Sequence, residues 1–115
     1  MDGLQFDIFD YLVPEVEITE DFNTMTDEQI AARLGELLGV PFSFDNWEYV
    51  AKVGRKKATK FTVHTSRYTT KYDGKAGKKF ISVGAFTSTS GTGRPCDSLE
   101  EAYKFFKSEK ERAET

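Results

Sequence analysis

The sequence predicts an α+β fold: a helix, a three-stranded antiparallel β-meander and a second helix (α-β-β-β-α), preceded by an N-terminal arm. Three observations carry the prediction. Two segments have helical apolar spacing behind N-terminal capping boxes, three segments alternate with the period of a half-buried strand, and the stretch before the first helix does neither.

Residues 1 to 25 read as an acidic arm, QFDIFDYLVPEVEITEDFNTM, in which Pro14 stops any helix begun near Phe6. At Thr26 the pattern changes. Thr26 with Gln29 forms a capping box, Asp27 and Glu28 favour the positive end of the helix dipole, and Ile30, Leu34, Leu37 and Leu38 make one stripe. Gly39 ends the helix, with Pro41 close behind.

The strands follow. Trp47, Tyr49, Ala51 and Val53 alternate with Glu48, Val50 and Lys52, and Gly54-Arg55-Lys56-Lys57 is a basic turn. Lys60 to Thr69 alternates Phe61, Val63 and Thr65 against Thr62, His64 and Ser66; Asp73-Gly74 and Gly77 then turn the chain. Phe80 to Thr87 places Ile81, Val83 and Ala85 on one face and Phe80, Ser82, Gly84 and Phe86 on the other. Ser88 to Pro95 reads as a flexible connection. Ser98 with Glu101 caps a last helix whose stripe is Leu99, Ala102, Tyr103 and Phe106, and whose charged end frays, with residues 112–115 as a tail. The folded domain is thus expected over residues 26–111.

Both helices must hide their stripes on the sheet face made by Trp47, Tyr49, Val53, Phe61, Val63, Ile81 and Val83. The opposite face, with Val50, Lys52, Lys60, His64, Tyr68, Phe80 and Phe86, mixes basic and aromatic groups and is the expected binding surface.

Composition narrows the function class. The 115 residues suit one domain, and ten Phe, five Tyr and one Trp supply a core that a disordered chain lacks. Charge is segregated: residues 1–50 carry twelve carboxylates against one Arg, a net of −11; residues 51–80 carry ten basic groups against Asp73, a net of +9; the rest nets −1. A basic middle of this kind suits phosphates or an acidic protein surface. No apolar run approaches the roughly 20 residues of a membrane span, and the single Cys96 agrees with a reducing compartment, so a cytoplasmic protein of a bacterial host cell is expected.

The catalytic inventory is small. His64 and Cys96 are the lone histidine and thiol and fall in different elements, so neither a Cys/His pair nor a Cys/His metal site is expected, and no cofactor is. Gly91-Thr92-Gly93-Arg94 precedes the last helix as an anion-binding loop would. It lacks the Lys-Ser/Thr ending of a phosphate loop, and Asp97, Glu100 and Glu101 already supply negative charge there.

Three resemblances add expectations. The helix, three strands, helix order over residues 26 to 111, with GTGRP before the last helix, resembles that of the double-stranded RNA-binding domain. That family grips phosphates with lysines at the start of its last helix, where this chain has Cys96-Asp97-Ser98-Leu99-Glu100-Glu101, so double-stranded RNA specificity is not expected. The basic segment offers other contacts for nucleic acid or an acidic partner: Lys52, Arg55, Lys56, Lys57, Lys60, Arg67, Lys75, Lys78 and Lys79, with Tyr68, Tyr72 and Phe80 as stacking platforms.

The pentapeptide Gln5-Phe6-Asp7-Ile8-Phe9 is similar to the bacterial sliding-clamp-binding motif Gln-Leu-Ser/Asp-Leu-Phe. The resemblance implies that Gln5 hydrogen-bonds at a small subsite, Asp7 takes the acidic option at the third position, and Ile8 and Phe9 fill an apolar pocket; Phe6 stands where the motif has Leu. Such an arm on a small charged domain closing with PCDSLEEAYKFF also resembles the accessory and anti-defence (anti-CRISPR-like) proteins of phages and mobile elements. This implies a non-enzymatic interaction protein that binds a bacterial protein or nucleoprotein machine, such as a sliding clamp or a defence complex. A nucleic-acid-binding module using the basic, aromatic meander is the alternative.

Overall fold

The computed structural model describes residues 18–55, 58–69 and 76–114 of the chain. The pentapeptide Gln5–Phe9 lies outside them, as do Lys56, Lys57, Tyr72 and Lys75.

A 3-10 turn, Phe22–Thr24, leads into helix α1, Asp27–Leu38. The α1 start forms as the sequence predicts. The Gln29 amide N–H donates to Thr26 Oγ1 at 3.1 Å while the Thr26 N–H donates to Gln29 Oε1 at 2.9 Å. At the other end Gly39 takes the left-handed conformation, φ 72°, which a residue without Cβ adopts freely, and its N–H donates to the Gly35 carbonyl.

Among the described residues the sheet has five strands, against the three that alternation predicts: β1 Ser43–Asp45, β2 Glu48–Val53, β3 Thr59–Thr69, β4 Ala76–Phe86 and β5 Gly91–Cys96, antiparallel throughout and in chain order. The two additions are the edges. All three residues of β1 and the first five of β5 are exposed, so neither edge carries the in–out alternation that betrays a strand. Gly91 to Pro95, expected as a flexible connection, is ordered by pairing with β4, and an edge is where a sheet tolerates proline. The topological likeness to the double-stranded RNA-binding domain therefore does not extend to the sheet.

A second correction concerns Trp47. Asp45 pairs with Glu48, so Asn46 and Trp47 form a two-residue hairpin turn, with φ of 52° and 73°, and Trp47 is 86% exposed instead of facing the core. Primed turns of this kind usually take Asn-Gly, and Trp in the second position conceals the signal.

Helix α2, Leu99–Glu114, does not fray before its charged end. Ala113 is buried there, and Lys110 pairs with Glu114 at 3.3 Å. At its start the Glu101 N–H donates to Ser98 Oγ, while the Glu101 carboxylate accepts from the Asp97 N–H, one residue before the expected cap.

Both helices pack on one face of the sheet. Ile30, Leu34 and Leu38 of α1 and Leu99, Ala102 and Phe106 of α2 share one core with Ala51, Val53, Phe61, Val63, Ile81, Val83, Ala85 and Cys96. Each fully buried side chain among Ile30, Leu34, Leu99 and Phe106 contributes roughly 1.5–3 kcal/mol. The Phe106 ring lies 4.8 Å from Phe61 and meets Phe42 edge-on at 5.7 Å, tying α2 to the strands and to the segment after α1. Among the described residues no helix is long and apolar enough to cross a membrane.

Candidate functional site

With both helices on one side, the opposite side of the sheet is the candidate site, and strand alternation decides which side chains reach it. The β-pairings set these side chains in rows across the strands. Lys52, Lys60, Phe86 and Gly91 stand opposite one another in turn, as do Val50, Thr62, Gly84 and Gly93, and then His64, Ser82 and Pro95. None of the first row belongs to the core, and Lys52, Lys60 and Phe86 are exposed.

Glycine shapes the middle of this face. A Cβ placed on Gly91 would lie 2.3 Å from Phe86 Cδ1, and one on Gly84 would lie 2.6 Å from Phe86 Cε2 and 2.7 Å from Thr62 Oγ1. The ring can rest across both backbones only because those positions have no side chain. Its other side is free to meet solvent, and Phe86 is 44% exposed. Beyond it runs a groove of about 460 Å³ floored by Thr62, Ser82, Gly84 and Gly93 and bounded by His64, Phe80 and Pro95. Val50 and Thr62 are buried although they face away from the helices.

The basic residues singled out from the sequence divide across the sheet. Lys52 and Lys60 stand directly opposite each other and enter no ion pair among the described residues. Arg55 is exposed just past the end of β2. Lys78 lies 4.0 Å from Asp97. Arg67 and Lys79 are register partners on the helix side of β3 and β4, in phase with Val63 and Ile81. Lys79 has a structural task there: its ammonium donates to the Phe22 and Met25 carbonyls at 3.2 and 3.1 Å and lies 5.8 Å from the Phe22 ring, pinning the turn before α1. Tyr68 belongs to β3.

The chemistry-bearing residues do not converge. His64 is on the far side, with Nδ1 buried, lacking a hydrogen bond and 3.9 Å from Glu48 Oε1. Cys96 is on the helix side, fully buried, and burial pushes its thiol up to about 11. The thickness of the sheet separates them, and so buried a thiol is a poor nucleophile. Among the described residues no group of three or more His, Cys, Asp or Glu could hold a metal ion. The glycine-rich segment expected to precede α2 as a loop is an edge strand, so its amides do not converge on the helix start.

Sequence reasoning placed Phe86 on the correct side but missed the platform it forms with Gly84 and Gly91. The available signal was glycine inside a strand pattern, which marks a close approach by another group. Comparison of the chain with protein-family models, with curated proteins and with solved structures found no match.

Proposed function

We propose that this chain is a non-enzymatic interaction protein, of the accessory or anti-defence kind carried by phages and mobile elements, that acts by occupying a surface of a bacterial protein or nucleoprotein machine. The helix-free side of the sheet is its contact surface. The observation that carries this reading is the row Lys52–Lys60–Phe86: two cationic side chains and an aromatic ring, exposed together on a face that neither helix crosses. Like charges directly opposite on neighbouring strands are unfavourable unless an anion lies between or above them. The separation of His64 from Cys96 by the sheet supports binding over catalysis. Gln5–Phe9 supplies a second contact of the clamp-binding type.

Affinity capture from a bacterial lysate, with and without nuclease, tests the reading. Partners retained by the wild type are expected to be lost by a Lys52→Glu/Lys60→Glu variant, and a subset by Gln5→Ala/Phe9→Ala. A partner set indifferent to the charge reversal removes the sheet face from the account. A nucleic-acid-binding module is the second reading, favoured by Lys52 and Lys60 on the same row, which enter no ion pair among the described residues.

A further inference from the structure

We infer that the ligand of the helix-free face is a single-stranded nucleic acid, with a base stacked on Phe86 and its phosphates drawn to Lys60 and Lys52; this rests on the reading that the face is the contact surface. Two independent features point to it.

The first is the ring. Phe86 lies against Gly91 and Gly84 on one side, which fixes its orientation without a large side chain above it, and 44% of the residue remains exposed. A fixed ring with one available face is what base stacking needs, and every base has a matching face.

The second is the charge beside it. Lys60 is the β3 partner of Phe86 and Lys52 the β2 partner of Lys60, so the cationic stems begin roughly 5 and 10 Å from the Phe86 backbone along a line across the strands. Long side chains from those points reach phosphates flanking a stacked base. Neither lysine is engaged in an ion pair among the described residues, and Arg55 is exposed just beyond the end of β2. The acidic groups at this end of the face, Glu48, which lines the groove beside His64, and Asp45, its β1 partner, stand at the opposite end of β2 from Lys52, which directs a polyanion over the lysine row. A duplex keeps its base faces stacked on one another and out of reach of the ring, so the strand is single.

Anisotropy titrations of a labelled oligothymidylate, longer than one site of about 4–16 nucleotides, and of the same strand in duplex with oligoadenylate test the inference. They are run at about 50 and 200 mM salt. The single strand is expected to bind more tightly than the duplex and to weaken steeply with salt. Lys52→Ala/Lys60→Ala should lower the log–log salt slope by about 0.7 per lysine. Phe86→Leu, which still covers the glycines, should weaken binding about tenfold with an unchanged circular dichroism spectrum, and Phe86→Tyr should restore it. No binding at the lower salt, tighter binding of the duplex, or binding indifferent to these substitutions overturns the inference. If the oligonucleotide fails while capture from lysate survives nuclease and still depends on Lys52 and Lys60, the ligand is a protein surface and the contact face stands. If capture is also indifferent to them, the face itself is wrong.

Discussion

The Phe86 ring rests on Gly91, its partner on the neighbouring edge strand, so closely that a Cβ on Gly91 would lie 2.3 Å from the ring. The fit ties a backbone requirement to a surface property. Gly91→Ala is expected to tilt the ring off the sheet, at about 1–3 kcal/mol for the overpacking. The penalty should shrink in a Phe86→Leu background, because a flexible side chain yields where the ring does not. Urea unfolding of the two single variants and the double variant closes the cycle; equal and additive losses would mean that the ring does not depend on the glycine.

Lys79 is distinguished from the other basic residues by its partners. Lys79→Met leaves the Phe22 and Met25 carbonyls without the ammonium that donates to them, and about 1–2 kcal/mol of stability should go with it. Any anion binding on the opposite side should keep its salt dependence. Lys52→Met should behave the other way: stability within about 0.5 kcal/mol of the wild type, as for an exposed side chain. Denaturant midpoints alongside anisotropy titrations separate the two.

The contrast shows what the sequence could and could not convey. Helices α1 and α2 were legible because Thr26, Gln29, Ser98 and Glu101 announce their starts and the buried stripes follow at helical spacing. Strands β2 to β4 were legible because one side of each is in the core. Strands β1 and β5 were not, since an exposed edge places no periodic demand on its side chains. The face carrying Lys52, Lys60 and Phe86 follows from alternation alone. That Lys79 belongs to the other side also follows from alternation, but its backbone acceptors come from residues more than fifty positions away, which no local pattern reveals.

The Asn46–Trp47 turn stores backbone strain at an exposed position. A bulky residue with φ of 73° is unfavourable, and Trp47→Gly should stabilise the hairpin by roughly 1 kcal/mol. Burial is not lost in the exchange, because the indole is almost wholly in solvent and the nearby Phe44 ring packs on Tyr49 instead. As the single tryptophan, Trp47 also reports on itself. Its emission should be that of water-exposed indole and fully open to iodide quenching; a blue-shifted, protected signal would contradict the hairpin geometry.

Cys96 sets an alkaline limit on stability. The thiol ordinarily titrates near 9.0, and burial in the folded chain pushes it up to about 11. Between these values the unfolded chain has released the proton and the folded chain has not, so the folded state binds more protons and stability falls as pH rises. The contribution is complete below about pH 9 and is lost by about pH 11, a change of roughly 2–3 kcal/mol from this one group. The Tyr49 phenol is also held above its ordinary value, by burial and by the nearby Glu28 and Asp27 carboxylates, so the assignment to Cys96 needs a variant. Cys96→Ala should lower stability at neutral pH through the small cavity it leaves, yet flatten the decline above pH 9. Urea midpoints of both proteins from pH 7 to 11 provide the measurement; parallel curves would show that the alkaline loss arises elsewhere. The same burial predicts that an aromatic disulfide reagent modifies the native thiol only as fast as the chain opens, and rapidly once urea has unfolded it.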